Sequence, residues 1–232
     1  MRIEGELVTG RFIKRLNRFE AVVEVEGVQE LVHVPNTGRL KELLTEGAVV
    51  QLRKFDNPHR KTKFGLLLVK KGEVWVSIDS ANLPNKIVYE ALKNNTFEQF
   101  GAYSEIRREV TMLNSRFDFG LFGDGCEYYI EVKGVTLVED RQAFFPDAPT
   151  TRGTRHLEEL VEIKLSGRGA GVIFIVQRED ADVIKPNDRT DKAFGMALRN
   201  AKKAGVELFA YVCKIDVGQR QVNIIRSIPV VL

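Results

Sequence analysis

A chain of 232 residues with 44% hydrophobic and 29% charged residues lies close to globular averages, which excludes a disordered, collagen-like or membrane-embedded class. No window approaches the ~20 apolar residues of a spanning helix, and the opening MRIEGELVTGRF lacks an apolar stretch before a cleavage site, so a cytoplasmic protein with no membrane partner is expected. The two cysteines (Cys126, Cys213) form no CxxC pair and the three histidines (His33, His59, His156) have no zinc spacing, so neither a disulfide nor a zinc site is expected. The formal charge is only +3, but it is unevenly placed: residues 1–85 hold 14 Lys+Arg against 11 Asp+Glu, whereas residues 86–232 hold 21 of each.

In chain order, the first part reads as short β segments with turn punctuation, over residues 7–14, 19–25, 29–33, 48–55, 64–69 and 74–78. Leucines at helical spacing predict a short helix over residues 37–44, bounded by Pro35-Asn36 and Gly47. Strands that close on themselves with one small helix after the third are the pattern of an OB-type barrel, here assigned to residues 1–82. From residue 83 the elements lengthen. A helix follows Pro84, with Ile87, Ala91 and Leu92 as its apolar stripe, and strands follow near residues 105–111, 116–121 and 128–137. Leu157, Leu160, Val161 and Leu165 then predict a second helix, closed by Gly167 and Gly169. The next strand, residues 172–177, begins Val-Ile-Phe-Ile-Val, a run suited to burial on both faces of a parallel or mixed sheet. A third helix over residues 192–204 turns Phe194, Ala197, Leu198 and Ala201 inward and stops at Gly205, with strands at 206–212 and 222–226 to finish. The order predicts an α/β unit over residues 83–232, so that the whole chain is α+β.

Side chains alternate along strands, so Glu131 and Lys133 should project together while Ile130 and Val132 project oppositely. By the same alternation Asp118 should face away from Phe117 and Phe119, and the short connection at 121–125 should pair the two strands as a hairpin. Two carboxylates and an amine then converge. Mg²⁺ (or Mn²⁺) takes one or two carboxylates and completes its octahedron with waters and phosphate oxygens, so Asp118 and Glu131 are candidate metal ligands. Lys133 could orient water or stabilise charge on a phosphodiester, and Glu90 on the preceding helix could add a third carboxylate. The competing reading is an ordinary wet hairpin face with a common Glu-x-Lys surface pair.

Two further features suit an anionic partner. Thr151, Arg152 and Arg155 stand at the expected start of the second helix, where the macrodipole disfavours arginine unless a phosphate binds. Arg53, Lys54, Arg60, Lys61 and Lys63 meet a single acid, Asp56, between two barrel segments, where OB-type barrels commonly bind nucleic-acid strands. The alternative in both cases is solvated surface charge.

At these residues the chain resembles the sugar fermentation stimulation protein (SfsA) family, through His33-Val34-Pro35-Asn36-Thr37-Gly38-Arg39-Leu40, Ser115-Arg116-Phe117-Asp118, Glu131-Val132-Lys133, Phe145-Pro146-Asp147-Ala148 and Thr151-Arg152-Gly153 with His156-Leu157. The resemblance implies an OB-like N-terminal barrel, a C-terminal mixed sheet flanked by helices similar to the PD-(D/E)XK nucleases, and a DNA-binding role linked to sugar metabolism. It places the nuclease motif on Asp118, Glu131 and Lys133, with Glu90 as the helix glutamate. Val34 and Gly134 depart from a pattern that commonly has cysteine and asparagine at these places. The functional expectation is a DNA-binding protein with a Mg²⁺-dependent phosphodiester-hydrolysing site; the alternatives are a non-enzymatic DNA-binding regulator and a sugar-binding protein. Self-association as a homodimer is left open.

Overall fold

The structure, a computed structural model, describes residues 1–36, 38–57, 59–80 and 82–232. Alternating apolar residues and tight turns produce β1 (Leu7–Arg15), β2 (Glu20–Val25), β3 (Val28–His33), β4 (Val49–Lys54), β5 (Phe64–Lys71) and β6 (Val74–Ser77). Glu26 and Gly27, both with positive φ (51° and 80°), reverse the chain between β2 and β3 with the twist a two-residue hairpin needs. The strand order is β3-β2-β1-β4-β5-β6, and an added β3–β5 pairing closes five strands into a barrel around Phe12, Val23, Val32, Leu52 and Leu66.

The helix predicted over residues 37–44 is not formed. Thr37 lies outside the described residues. From Leu40 onward there is one turn, closed by the Leu44 N–H donating to Leu40 O at 2.8 Å. The left-handed backbone of Leu40 (φ 50°) ends any helix N-terminal to this turn. The leucine spacing is satisfied nonetheless, since Leu40 and Leu43 are both buried in the barrel.

After α1 (Leu83–Lys93) come β7 (Glu105–Met112), β8 (Ser115–Gly123), β9 (Cys126–Val135), β10 (Val138–Glu139), β11 (Gln142–Phe145), α2 (Thr151–Leu165), β12 (Gly169–Val176), β13 (Val183–Pro186), α3 (Lys192–Lys203), β14 (Glu207–Asp216) and β15 (Gln221–Ser227). The large sheet has the order β15-β14-β12-β9-β8-β7, with β12 parallel to both β9 and β14 and the outer pairs antiparallel. Helices α2 and α3 cover one face and α1 the other. The all-apolar β12 is buried in the middle, as its composition predicts. A second, three-stranded sheet, β10-β11-β13, was not expected; its strands are two to four residues long, too short to display alternation. On α2 the buried face is Gly153, His156, Leu157, Glu159, Leu160 and Ile163, while Leu165, predicted inward, is 75% exposed.

Barrel and sheet are packed together. Leu67 and Leu68 of β5 share a core with Ile87 and Val88 of α1. The Gln177 side-chain amide donates to Ser77 O at 2.7 Å, and the Ser77 N–H donates to Gln177 O at 3.1 Å. Among the described residues no helix is long and apolar enough to cross a membrane.

The pleat of β7 and β8 changes phase midway. Arg108 pairs with Phe119 and Val110 with Phe117, but Glu109, at φ 55°, and Asp118 between them make no bridge. Phe117, Val110 and Met112 pack towards α2 and α3, whereas Phe119, Leu121 and Ile106 pack towards α1. The expectation that both phenylalanines lie on one face opposite Asp118 therefore fails, because strict alternation does not survive a left-handed residue in the neighbouring strand.

Candidate metal and phosphate site

Pairing of β8 with β9 begins at Phe119 opposite Ile130, so Asp118 and Glu131 flank the same rung of the ladder. At that point a side chain supplies the acceptor for the next backbone donor: Asp118 Oδ2 accepts the Val132 N–H at 2.7 Å. Its Oδ1 accepts the Asn85 side-chain amide of α1 at 2.6 Å. Burial, then the nearby Glu131 charge, push the Asp118 carboxyl above the ordinary carboxylate range, outweighing these two donors and Lys133.

Glu131 is 4% exposed and sits on a central strand of the sheet. Its Oε1 receives two short hydrogen bonds, from Lys133 Nζ at 2.6 Å and from His156 Nδ1 at 2.6 Å. Burial opposes its ionisation, but Lys133 and then His156 prevail and hold its pKa below the usual value. The buried Oε2 has no hydrogen-bond partner. His156 is 2% exposed, and its Nε2 lies 3.3 Å from Arg152 Nε. Guanidinium nitrogens only donate, so Nε2 is the acceptor of this contact and Nδ1 carries the proton given to Glu131.

The structure therefore brings Asp118, Glu131 and Lys133 together and adds Asn85 and His156, neither of which sequence reasoning assigned a role. His156 carried a legible signal, a polar residue within the apolar stripe Leu157, Leu160 and Ile163 of α2. Asn85 carried none, because helix rotation is not written in a single polar position. That rotation also decides Glu90. Asn85 and Tyr89 of α1 turn towards β8, meeting Asp118 and Phe119, whereas Glu90 is 140° around the helix from Asn85 at ~100° per residue. Glu90 pairs instead with the Met1 ammonium at 3.2 Å, which corrects its expected place as a third carboxylate of this site. Among the described residues no group of three or more His, Cys, Asp or Glu side chains could hold a metal ion. The donors available are the two carboxylates, and the unpartnered Glu131 Oε2 fits a divalent cation that completes its shell with water.

At the start of α2, Thr150 is the N-cap and its hydroxyl accepts the Gly153 N–H at 3.0 Å. Thr151 is exposed at the first helical position, Arg152 turns to His156, and Arg155 lies 3.9 Å from Glu159, away from the carboxylate pair. In the basic stretch, Arg53 lies against Gly5, Lys54 pairs with Glu6 at 3.2 Å, Lys61 with Glu20 at 2.6 Å, and Arg60 covers the Phe55 ring at 3.8 Å. Lys63 is exposed. At Gly134 a Cβ would come within 2.5 Å of Gln177 Oε1 and 2.8 Å of Pro84 Cγ, so an asparagine there would require the Ser77–Gln177 junction to shift.

Comparison with known proteins agrees with this architecture. Residues 13–78 match the SfsA N-terminal OB domain, and residues 82–219 match the sugar fermentation stimulation protein RE domain. A sugar fermentation stimulation protein homolog of Acetivibrio thermocellus is 70% identical over 232 residues, with both chains fully covered. A homolog from Clostridium acetobutylicum is 48% identical, again over the full length of both. The solved structure of Pyrococcus furiosus SfsA in complex with Ca²⁺ has 26% identity, covers each chain completely and superposes with a TM-score of 0.90.

Proposed function

Because the chain belongs to the sugar fermentation stimulation protein family, we propose that it is a DNA-binding protein whose Asp118–Glu131 pair holds a divalent cation and hydrolyses a phosphodiester bond. The observation that carries this reading is the Glu131 Oε2 atom, a buried carboxylate oxygen with no hydrogen-bond partner beside the half-buried carboxylate of Asp118. Burying such a pair without a cation is costly, and a bound cation relieves the cost. The relative whose structure is in complex with Ca²⁺ supports a hard divalent ion, of which Mg²⁺ or Mn²⁺ would serve catalysis. When bound, such an ion polarises the phosphodiester and lowers the pKa of a coordinated water.

The chain's own residues do the rest. Asn85 and the Val132 N–H hold Asp118 in place. His156 and Lys133 fix Glu131 by one oxygen and leave the other free. Lys133, 14% exposed at its side chain, lines the adjoining cavity and is placed to neutralise charge on a phosphate oxygen. Arg152 adds a guanidinium to the same neighbourhood through His156.

Incubation with single-stranded, duplex and branched DNA, in Mg²⁺, Mn²⁺ or chelator, tests the proposal beside an Asp118→Ala control. Metal-dependent cleavage that disappears in the variant is expected. Binding of DNA without cleavage of any substrate would favour the second reading, a non-enzymatic DNA-binding regulator, to which the exposed cations of the barrel contribute equally well.

A further inference from the structure

The hairpin tip between β1 and β2 exposes two large apolar side chains, Leu16 at 50% and Phe19 at 51%. They do not stand on bare surface. Three depressions follow one another here. The first, about 280 Å³, lies between barrel and sheet and is lined by Gly38, Asp147, Thr150 and Lys133. The second, about 590 Å³, shares Gly38 as a wall and continues along Arg39, Lys41 and Arg18. The third, about 480 Å³, shares Asn17 and Arg18 with the second and ends at Phe19, His33 and Lys61.

One side chain ties the wall between them together. The Arg15 guanidinium donates to the carbonyl oxygens of Asn36 (2.6 Å), Gly38 (2.6 Å), Arg39 (3.0 Å) and Arg18 (2.7 Å), pinning the hairpin tip to the 36–39 loop. Arg15 spends its donors internally, but Arg18, Arg39 and Lys41 are exposed and have no acidic partner among the described residues. Arg18 sits over the Phe19 ring, 5.8 Å from its centre, a cation–π distance that still leaves Phe19 51% exposed. Of the two acids along the way, Glu20 is neutralised by Lys61 at 2.6 Å, and burial pushes the Asp147 carboxyl towards its neutral form. An exposed aromatic ring flanked by unpaired cations, along depressions that share wall residues, is the chemistry of a base-stacking platform with a phosphate track.

We infer that these depressions form one path for a single polynucleotide strand, with a base on Phe19, phosphates on Arg18, Arg39 and Lys41, and the strand entering the cavity beside Lys133. The substrate is then an unpaired strand or tail, since bases paired within a duplex have no free face for Phe19. In delivering the strand to a cleavage site this inference rests on the function proposed above; in binding the strand it stands alone.

The test is fluorescence anisotropy in chelator, so that no turnover intervenes, with labelled oligothymidylate, oligouridylate and a blunt duplex. Phe19→Ala should weaken single-strand binding about 5- to 150-fold and leave duplex binding unchanged, with Phe19→Tyr restoring it. Arg18→Ala with Lys41→Ala should lower the salt dependence by about 1.4 in log–log slope. The two single-strand probes distinguish DNA from RNA as the source of the strand. Because Phe19 is half exposed, an unchanged urea midpoint is expected for Phe19→Ala, which separates binding from folding. Equal single-strand affinity in wild type and Phe19→Ala, or tighter binding of duplex than of single strand by wild type, overturns the path. Absence of cleavage with Phe19-dependent binding overturns only the catalytic reading, and cleavage with Phe19-independent binding overturns only the path.

Discussion

The five-stranded barrel and the six-stranded sheet bury different chemistry. The barrel strands bury an apolar core, from Phe12 and Val23 to Leu66 and Val76, and the polar side chains they bury, Gln51 and Ser77, carry no charge. The sheet also buries Glu131, His156 and Glu159 among its apolar residues. Apolar burial stabilises by ~25 cal/mol per Å², whereas an ion pair inside a protein at best roughly recovers its desolvation cost. The barrel thus follows the cheapest route to stability. The sheet does not, and the departure is concentrated where β8 and β9 part, within reach of one another's charges.

Three measurements break or sharpen this contrast. The largest effect is expected from Glu131→Ala, which leaves the Lys133 ammonium, 14% exposed, without its counter-ion. A loss of about 3–5 kcal/mol of unfolding free energy by urea titration is expected, because the penalty is that of an uncompensated buried charge. Leu66→Ala, at a position 1% exposed in the barrel, should cost about 2–5 kcal/mol through lost burial and an unfilled cavity. It should leave divalent-ion binding by calorimetry unchanged. The smallest effect is that of the ion itself. Mn²⁺ or Ca²⁺ at one hundred times its Kd should stabilise wild type by about 2.7 kcal/mol, or about 5–10 °C in Tm, and should do the same for Leu66→Ala. The same addition should leave Asp118→Ala unmoved; a full shift in that variant would place the ion elsewhere.

The contrast also explains what was legible in the sequence. Regular β segments with tight turns announced the barrel, and the all-apolar run of β12 announced a strand covered on both faces. Alternation along β9 correctly put Ile130 and Val132 on one face, which packs towards α1, and Glu131 on the other, where it meets His156 of α2. The same rule failed on β8, where the cause lies in another strand, at Glu109. Glu90 and Asn85 differ by a helix rotation that only tertiary packing decides, and the short β10, β11 and β13 derive their pairing from partners distant in sequence. Leu40 and Leu43 show the intermediate case, in which apolar spacing identified the buried residues but the backbone reached them by a single turn.

The phase change at Glu109 and Asp118 bears on how this protein can vary. Exchanging Phe117 or Phe119 for another large apolar residue alters volume on one face only, and cores absorb such exchanges at modest cost. Removing or inserting one residue between them is a different event, because it carries Phe117 and its neighbours to the wrong side of the sheet and displaces the Asp118 carboxylate from the Val132 N–H. Chimeras and indel libraries should therefore tolerate letters here but not gaps.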